Sequence, residues 1–283
     1  MIRTIALATD FSTRSDRALR RATIIAKQMG ASLTLVHVID DDQPQYLVDA
    51  QIQASRSILE ESARTVTEFD GVTAHALLVA GDMYSGILQA AEDVSADLII
   101  LGPHRRQLRN AFVGTTAERT IAHSPRPVLM TAGIPSAPYD RALIALDLDE
   151  NSKSAALLVG EMGILGQAEV VAMHAFDAPA LGMMRRGMHE RSAVDLYLTG
   201  EQRQASDDFR AFTNDIGLSS TRQILVPISG NAARTICECA REEEASLIVV
   251  ATSQRTGIER FMLGSVTQDV LADADRDILV VPK

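Results

Sequence analysis

The amino-acid sequence predicts an α/β fold of two tandem, doubly wound, five-stranded parallel sheets, and three observations predict it. Nearly continuous apolar runs of strand length alternate with segments of helical period. The pattern runs through once and restarts after a turn-rich stretch, Gly133-Ile134-Pro135-Ser136-Ala137-Pro138, which reads as a linker between domains at 1–134 and 139–283. Landmarks then recur: Asp10 and Asp147, like Asp40 and Asp177, are 137 residues apart; Gly81 and Gly230, like Gly102 and Ala251, are 149 apart; Thr115 and Ser265 are 150 apart. An offset with one jump of 12 and one of 1 describes a duplicated domain, enlarged in its middle and altered by one residue near its last helix.

The first strand is Thr4 to Ala8, ending at Asp10, and Ser12-Thr13-Arg14-Ser15 supplies N-caps for a helix. Its apolar positions are Ala18, Ala22, Ile25, Ala26 and Met29, with Gly30 as the stop. Leu33 to Ile39 is apolar enough for a strand covered on both faces. A long amphipathic segment, Tyr46 to Phe69, follows the acidic turn at Asp40, Asp41 and Asp42, and Asp70-Gly71 ends it. Then come a strand from Thr73 to Val79, a helix from Ser85 to Val94, a strand into Gly102, a helix from Thr116 to Ala122 and a last strand from Val128 to Thr131. In the second copy the added residues fall between Ala178 and Gln223, a segment containing GMMRRGMHERSA from Gly182 to Ala193.

Composition narrows the function classes. The chain has 283 residues, 46% hydrophobic and 23% charged, and its net charge of −10 opposes sequence-independent binding to DNA or RNA. No run approaches the roughly 20 apolar residues of a membrane span, and MIRTIALATDF reads as a strand and not as a signal peptide, so the expected compartment is the cytoplasm. Cys237 and Cys239, two apart on a helix, suit neither a mutual disulfide nor chelation and read as core residues. No P-loop, GxGxxG, GxSxG, HExxH or CxxC pattern is present, which argues against an enzyme.

The chemistry concentrates in DLIILGPHRRQLRNAFVGTTAERT, Asp97 to Thr120. A strand ends at Gly102, a basic segment follows, and Gly114-Thr115 opens a helix; unpaired N–H groups and a hydroxyl at such a start suit phosphate. The plan returns from Ser246 to Val270, where Gly264 and Ser265 stand for Gly114 and Thr115. Asp10 and Asp147 are placed to meet a ligand or to cap the turn that follows them, and His37 and His174, equivalent in the two copies, read as hydrogen-bonded core histidines. Arg105, Arg106 and Arg109 pair with phosphate, or are solvated loop residues, or contact acidic groups on the other domain.

Two tandem units opening with ATDFSTRSDRALRRATIIAKQMGASLTLVHVID and closing with GPHRR…GTTAERTIAHSPRPVLM resemble the universal stress protein family. The resemblance implies sheets in the order 3-2-1-4-5, with the halves packed through their last strands as an intramolecular pseudo-dimer. It also implies ATP or AMP as the candidate ligand. The residues that would hold the nucleotide are Asp10, Val38, Gly102, His104, Gly114 and Thr115 in the first copy and Asp147, Ala175, Gly264 and Ser265 in the second. The family pattern is G-x-x-G, nine residues, then G followed by S or T. Here Arg105 replaces the second glycine, with the spacing to Gly114 one residue short, while Ala251 and Gln254 replace the leading pair in the second copy. A side chain where glycine is required costs on the order of 1 kcal/mol or blocks the ligand. The expected function is therefore a non-enzymatic stress-response protein with an adenine nucleotide in at least one domain. The alternative is a scaffold with vestigial pockets that binds an unknown protein partner or a second copy, and a weak adenylate hydrolase or transferase ranks third.

Overall fold

A computed structural model describes residues 1–102, 114–178, 184, 191–228, 230–252, 263–273 and 275–282. The first half contains β1 (Thr4–Ala8), α1 (Thr13–Met29), β2 (Ser32–Ile39), α2 (Gln45–Thr65), β3 (Ala74–Ala80), α3 (Met83–Asp93), β4 (Leu98–Leu101), α4 (Thr116–His123) and β5 (Val128–Met130). The second contains β6 (Arg141–Ala145), α5 (Glu150–Met162), β7 (Glu169–Phe176), α6 (Arg191–Asp215), β8 (Arg222–Pro227), α7 (Ala232–Glu242), β9 (Leu247–Ala251), α8 (Ser265–Asp273) and β10 (Asp277–Val281). The long helix expected to reach Phe69 does so with a change of winding, because α2 passes into a π-helical turn at Val66–Asp70 before Gly71.

Local signals explain the helix ends. Ser12 caps α1, accepting from the Ser15 N–H, and Gly30 closes it at φ 66°, a left-handed geometry that glycine adopts without penalty. Asp82, Asp149 and Asn231 cap α3, α5 and α7 in the same way as Ser12. Period-two alternation sorts the strands: Ile5 and Leu7 face one core layer and Ala6 the other. Both layers contain residues of both halves, so each core runs the length of the sheet.

The strands form one ten-stranded sheet, β3-β2-β1-β4-β5-β10-β9-β6-β7-β8. Each half has the order 3-2-1-4-5 with parallel neighbours, and the halves meet at an antiparallel seam where Met130, Leu129 and Val128 face Ile278, Leu279 and Val280. The two parallel sheets are thus one mixed sheet, whose pseudo-two-fold lies at the seam.

Two further contacts fix the halves. The Ile2 N–H donates to the Met162 carbonyl at 3.2 Å, and the turn after α5 lies against the end of α1, where a Cβ on Gly166 would fall 2.1 Å from Gln28 Nε2. The second contact centres on Asp277, 2% exposed at the start of β10. Arg21 Nε donates to its carboxylate at 2.7 Å, the Tyr139 hydroxyl at 2.8 Å and the Ala132 N–H at 2.9 Å. Arg21 also donates to the Ala137 carbonyl at 2.8 Å and lies over the Tyr139 ring. Burial, then the Asp277 charge, hold the Tyr139 phenol well above its ordinary range, so it remains a donor. The linker is therefore stapled to α1 and β10 together.

Removing one member of such a pair leaves an uncompensated buried charge. Arg21→Met is expected to destabilise the protein by about 3–5 kcal/mol in urea denaturation, with part of the loss recovered when Asp277→Leu is added.

Candidate functional site

In each half the order of the strands reverses beside the first strand, between β1 and β4 and between β6 and β9, and a crevice opens at the strands' carboxyl ends. The first crevice holds a cavity of about 320 Å³, the second one of about 420 Å³. Asp10, Val38, Gly102 and Thr115 border the first; Asp147, Ala175, Gly264 and Ser265 border the second, with Ala251 beside them. Gly114 directly precedes Thr115, while His104, Arg105, Arg106, Arg109 and Gln254 lie outside the described residues, as does most of the enlarged segment from Gly182 to Ala193.

The mouths of β1 and β6 share a backbone device. Phe11 and Leu148, which follow Asp10 and Asp147, adopt φ of 58° and 53°, a left-handed conformation unfavourable for bulky residues. Tertiary contacts hold them there: Phe11 packs on the His37 ring at 4.2 Å between centroids, and Leu148 packs against the core. His37 and His174 are anchored as expected, each placing Nδ1 2.8 Å from a carbonyl of the neighbouring strand's end, Thr9 and Leu146. His37 also borders the first cavity.

The two aspartates differ. Asp10 accepts from the Ser12 N–H at 3.0 Å, from the Ser12 hydroxyl at 2.5 Å and from the Ser15 hydroxyl at 2.7 Å, with Arg14 at 3.5 Å. Burial raises its pKa, but the Ser12 and Ser15 hydrogen bonds and the Arg14 charge outweigh that and bring it down to about 2. Position 149, equivalent to Ser12, is an aspartate whose carboxylate is engaged in capping the Ser152 N–H, and Ser152 accepts from the Asp147 N–H. Among the described residues the Asp147 carboxylate receives no hydrogen bond, and burial followed by the Asp149 charge raises its pKa. Between the two readings of these aspartates, Asp10 braces its own turn and Asp147 faces the cavity unbraced.

One expectation about glycine changes, at Gly114. Gly102 borders the first cavity, and a Cβ there would lie 3.4 Å from the backbone of Arg14 and Ser15, in contact with the start of α1. Gly114 does adopt positive φ, 79°, as a glycine can, but its N–H is not free for an anion. It donates to a carboxylate oxygen of Glu118. The reason is a helix-capping arrangement: the Thr115 hydroxyl accepts from the Glu118 N–H at 3.1 Å while the Glu118 side chain folds back over the helix start. Sequence reading passed over Glu118, although Thr115-x-x-Glu118 before a helix signals this geometry.

A family model for the universal stress protein family matches residues 1–132 and 138–282. The chain is 30% identical over 146 residues to a universal stress protein of Methanocaldococcus jannaschii, an alignment covering 51% of this chain and 83% of that one. It is 23% identical over 282 residues to a universal stress protein of Mycobacterium bovis, with 94% of each chain covered. The crystal structure of a universal stress protein from Archaeoglobus fulgidus superimposes with a TM-score of 0.72 at 19% identity, covering 99% of this chain and 96% of that one. The last is a likeness of fold, extending over both halves and the seam.

The aspartates set opposite pH dependences. Asp10 has its pKa lowered in the folded state from 3.8, so its stabilisation is complete above that pH and is lost as pH falls towards 2. Asp147 has its pKa raised, so its ionisation opposes folding at neutral pH. Thermal melts across this range should show Asp10→Asn lowering the neutral melting temperature and flattening the acid limb, whereas Asp147→Asn raises the neutral melting temperature.

Proposed function

We propose that this chain, which belongs to the universal stress protein family, is a non-enzymatic regulator of the stress response that holds an adenine nucleotide, ATP or AMP, in at least one of its cavities. The observation that carries the reading is the repeated crevice: the same strand ends, an aspartate and a helix start, at Thr115 in the first half and Gly264-Ser265 in the second, border a cavity in both halves. Apolar side chains such as Val38, Met83 and Ile87 offer one wall to a flat base, and the helix start offers polar groups for a phosphate tail. Domains at 1–134 and 139–283 would each contribute one site. A ligand that favours one arrangement of the loops would shift the protein's population towards that state. Among the described residues no helix is long and apolar enough to cross a membrane. The cysteines are buried free thiols, pushed up to about 11 by burial, which suits the cytoplasmic setting proposed for the chain.

A second reading has its own support. The Gly114 amide already has an anion partner within the protein, which favours a scaffold whose first pocket is vestigial and whose surface binds a protein partner or a second copy.

Denaturing purified protein and resolving the supernatant by anion exchange separates the two. Stoichiometric AMP, ADP or ATP is expected under the first reading; an empty supernatant with no thermal shift at millimolar nucleotide would overturn it and favour the second. Within the first, Gly114→Val should abolish binding in the first cavity, because the side chain enters the phosphate space and the backbone is left-handed there; calorimetric titration with ATP measures it.

A further inference from the structure

Glu118 has two carboxylate oxygens and two partners. One oxygen accepts from the Gly114 N–H, and the other accepts from the side-chain amide of Gln268. Gln268 belongs to α8 in the other half and borders the second cavity. The two residues are 150 apart, the same offset as Thr115 and Ser265, so they are equivalent positions meeting across the pseudo-two-fold. Duplication made this contact asymmetric. Two glutamates facing each other there would repel, whereas one glutamate and one glutamine supply an acceptor and a donor.

We infer that Glu118 and Gln268 form a latch that couples the two cavities. The inference rests on the nucleotide reading above and adds regulation to it. An oxygen of a phosphate needs the amide that Glu118 occupies, and a second anion cannot share it without like-charge repulsion. Phosphate in the first cavity therefore displaces the carboxylate from Gly114, and the displaced Glu118 releases Gln268, a residue that borders the second cavity. In the reverse direction, a ligand oxygen that draws the Gln268 amide into the second cavity removes one of the two anchors of Glu118 and eases its departure from Gly114. Both directions have the same sign, as linkage requires.

Calorimetric titration of the full chain with ATP tests the latch. The unaltered protein should bind at two sites with positive cooperativity. Glu118→Ala should raise affinity at the first site roughly 10-fold, within the usual range of coupling between sites, and abolish the cooperativity. Gln268→Ala should abolish cooperativity while keeping both sites, and adding Gly114→Val to Glu118→Ala should remove the strengthened site, which assigns it to the first cavity. Because Glu118→Ala also weakens a helix cap, Glu118→Gln provides a variant of the same shape whose uncharged amide should likewise loosen the latch. Unchanged affinity and cooperativity in these variants would overturn the latch and leave nucleotide binding standing; no heat from any of them at millimolar ATP would overturn nucleotide binding itself. A ligand-free measurement reads the contact directly: hydrogen exchange at the Gly114 amide should quicken in Glu118→Ala, and unchanged exchange would sink the latch whatever the nucleotide result.

Discussion

Asp277 carries its charge inside the protein, and the relation between the two halves depends on satisfying it. A buried carboxylate is tolerated only with a cation and hydrogen-bond donors around it. Here the cation, Arg21, comes from the first half, and the donors Ala132 and Tyr139 come from either side of the segment joining the halves. No single half could supply this set. The charge makes docking of the halves specific in a way that the apolar seam between β5 and β10 does not, since an antiparallel pair of Val, Leu, Ile and Met tolerates small shifts that a carboxylate with three directional partners cannot.

Once the halves are docked, a single mixed sheet with two continuous core layers places both crevices on fixed scaffolding. The crevices arise for the same topological reason, but their linings differ at most equivalent positions, and one of the differences decides the state of the aspartate. Serine at position 12 leaves Asp10 surrounded by hydroxyls and strongly acidic; aspartate at the equivalent position 149 takes over the helix cap and leaves Asp147 exposed to its neighbour's charge. One cavity has its carboxylate committed to the protein, and the other has it available. Duplication followed by divergence thus yields two sites of shared shape and different electrostatics.

The same divergence reaches the pseudo-two-fold. A symmetric pair of like residues at positions 118 and 268 would be a neutral or repulsive contact, but the pair present is polarised, and its anion lies on the helix start of the first half. An internal carboxylate in that place performs for the protein what a phosphate would perform for a ligand: it satisfies a backbone amide and complements the positive end of a helix.

What the sequence by itself determined is everything that rests on neighbouring residues. The alternation at Ile5, Ala6 and Leu7, the stop at Gly30 and the cap at Ser12 follow from spacing and local hydrogen bonds, and the repeated landmarks expose the duplication, while the strand order came from the family resemblance those segments carry and not from the residues themselves. Even the anchoring of His37 and His174 was legible, because equivalent placement in two copies marks a shared structural role. Other features were decided only in three dimensions. Phe11 and Leu148 do not signal a left-handed backbone, since bulky residues enter it only when distant side chains hold them. Asp277 reads as one more acid in an acidic turn until strand pairing buries it against Arg21, 256 residues away. Glu118 signals a cap, yet its second partner lies across the pseudo-two-fold. Contacts of this kind depend on which strands adjoin and how the halves dock, and no local pattern of residues encodes that.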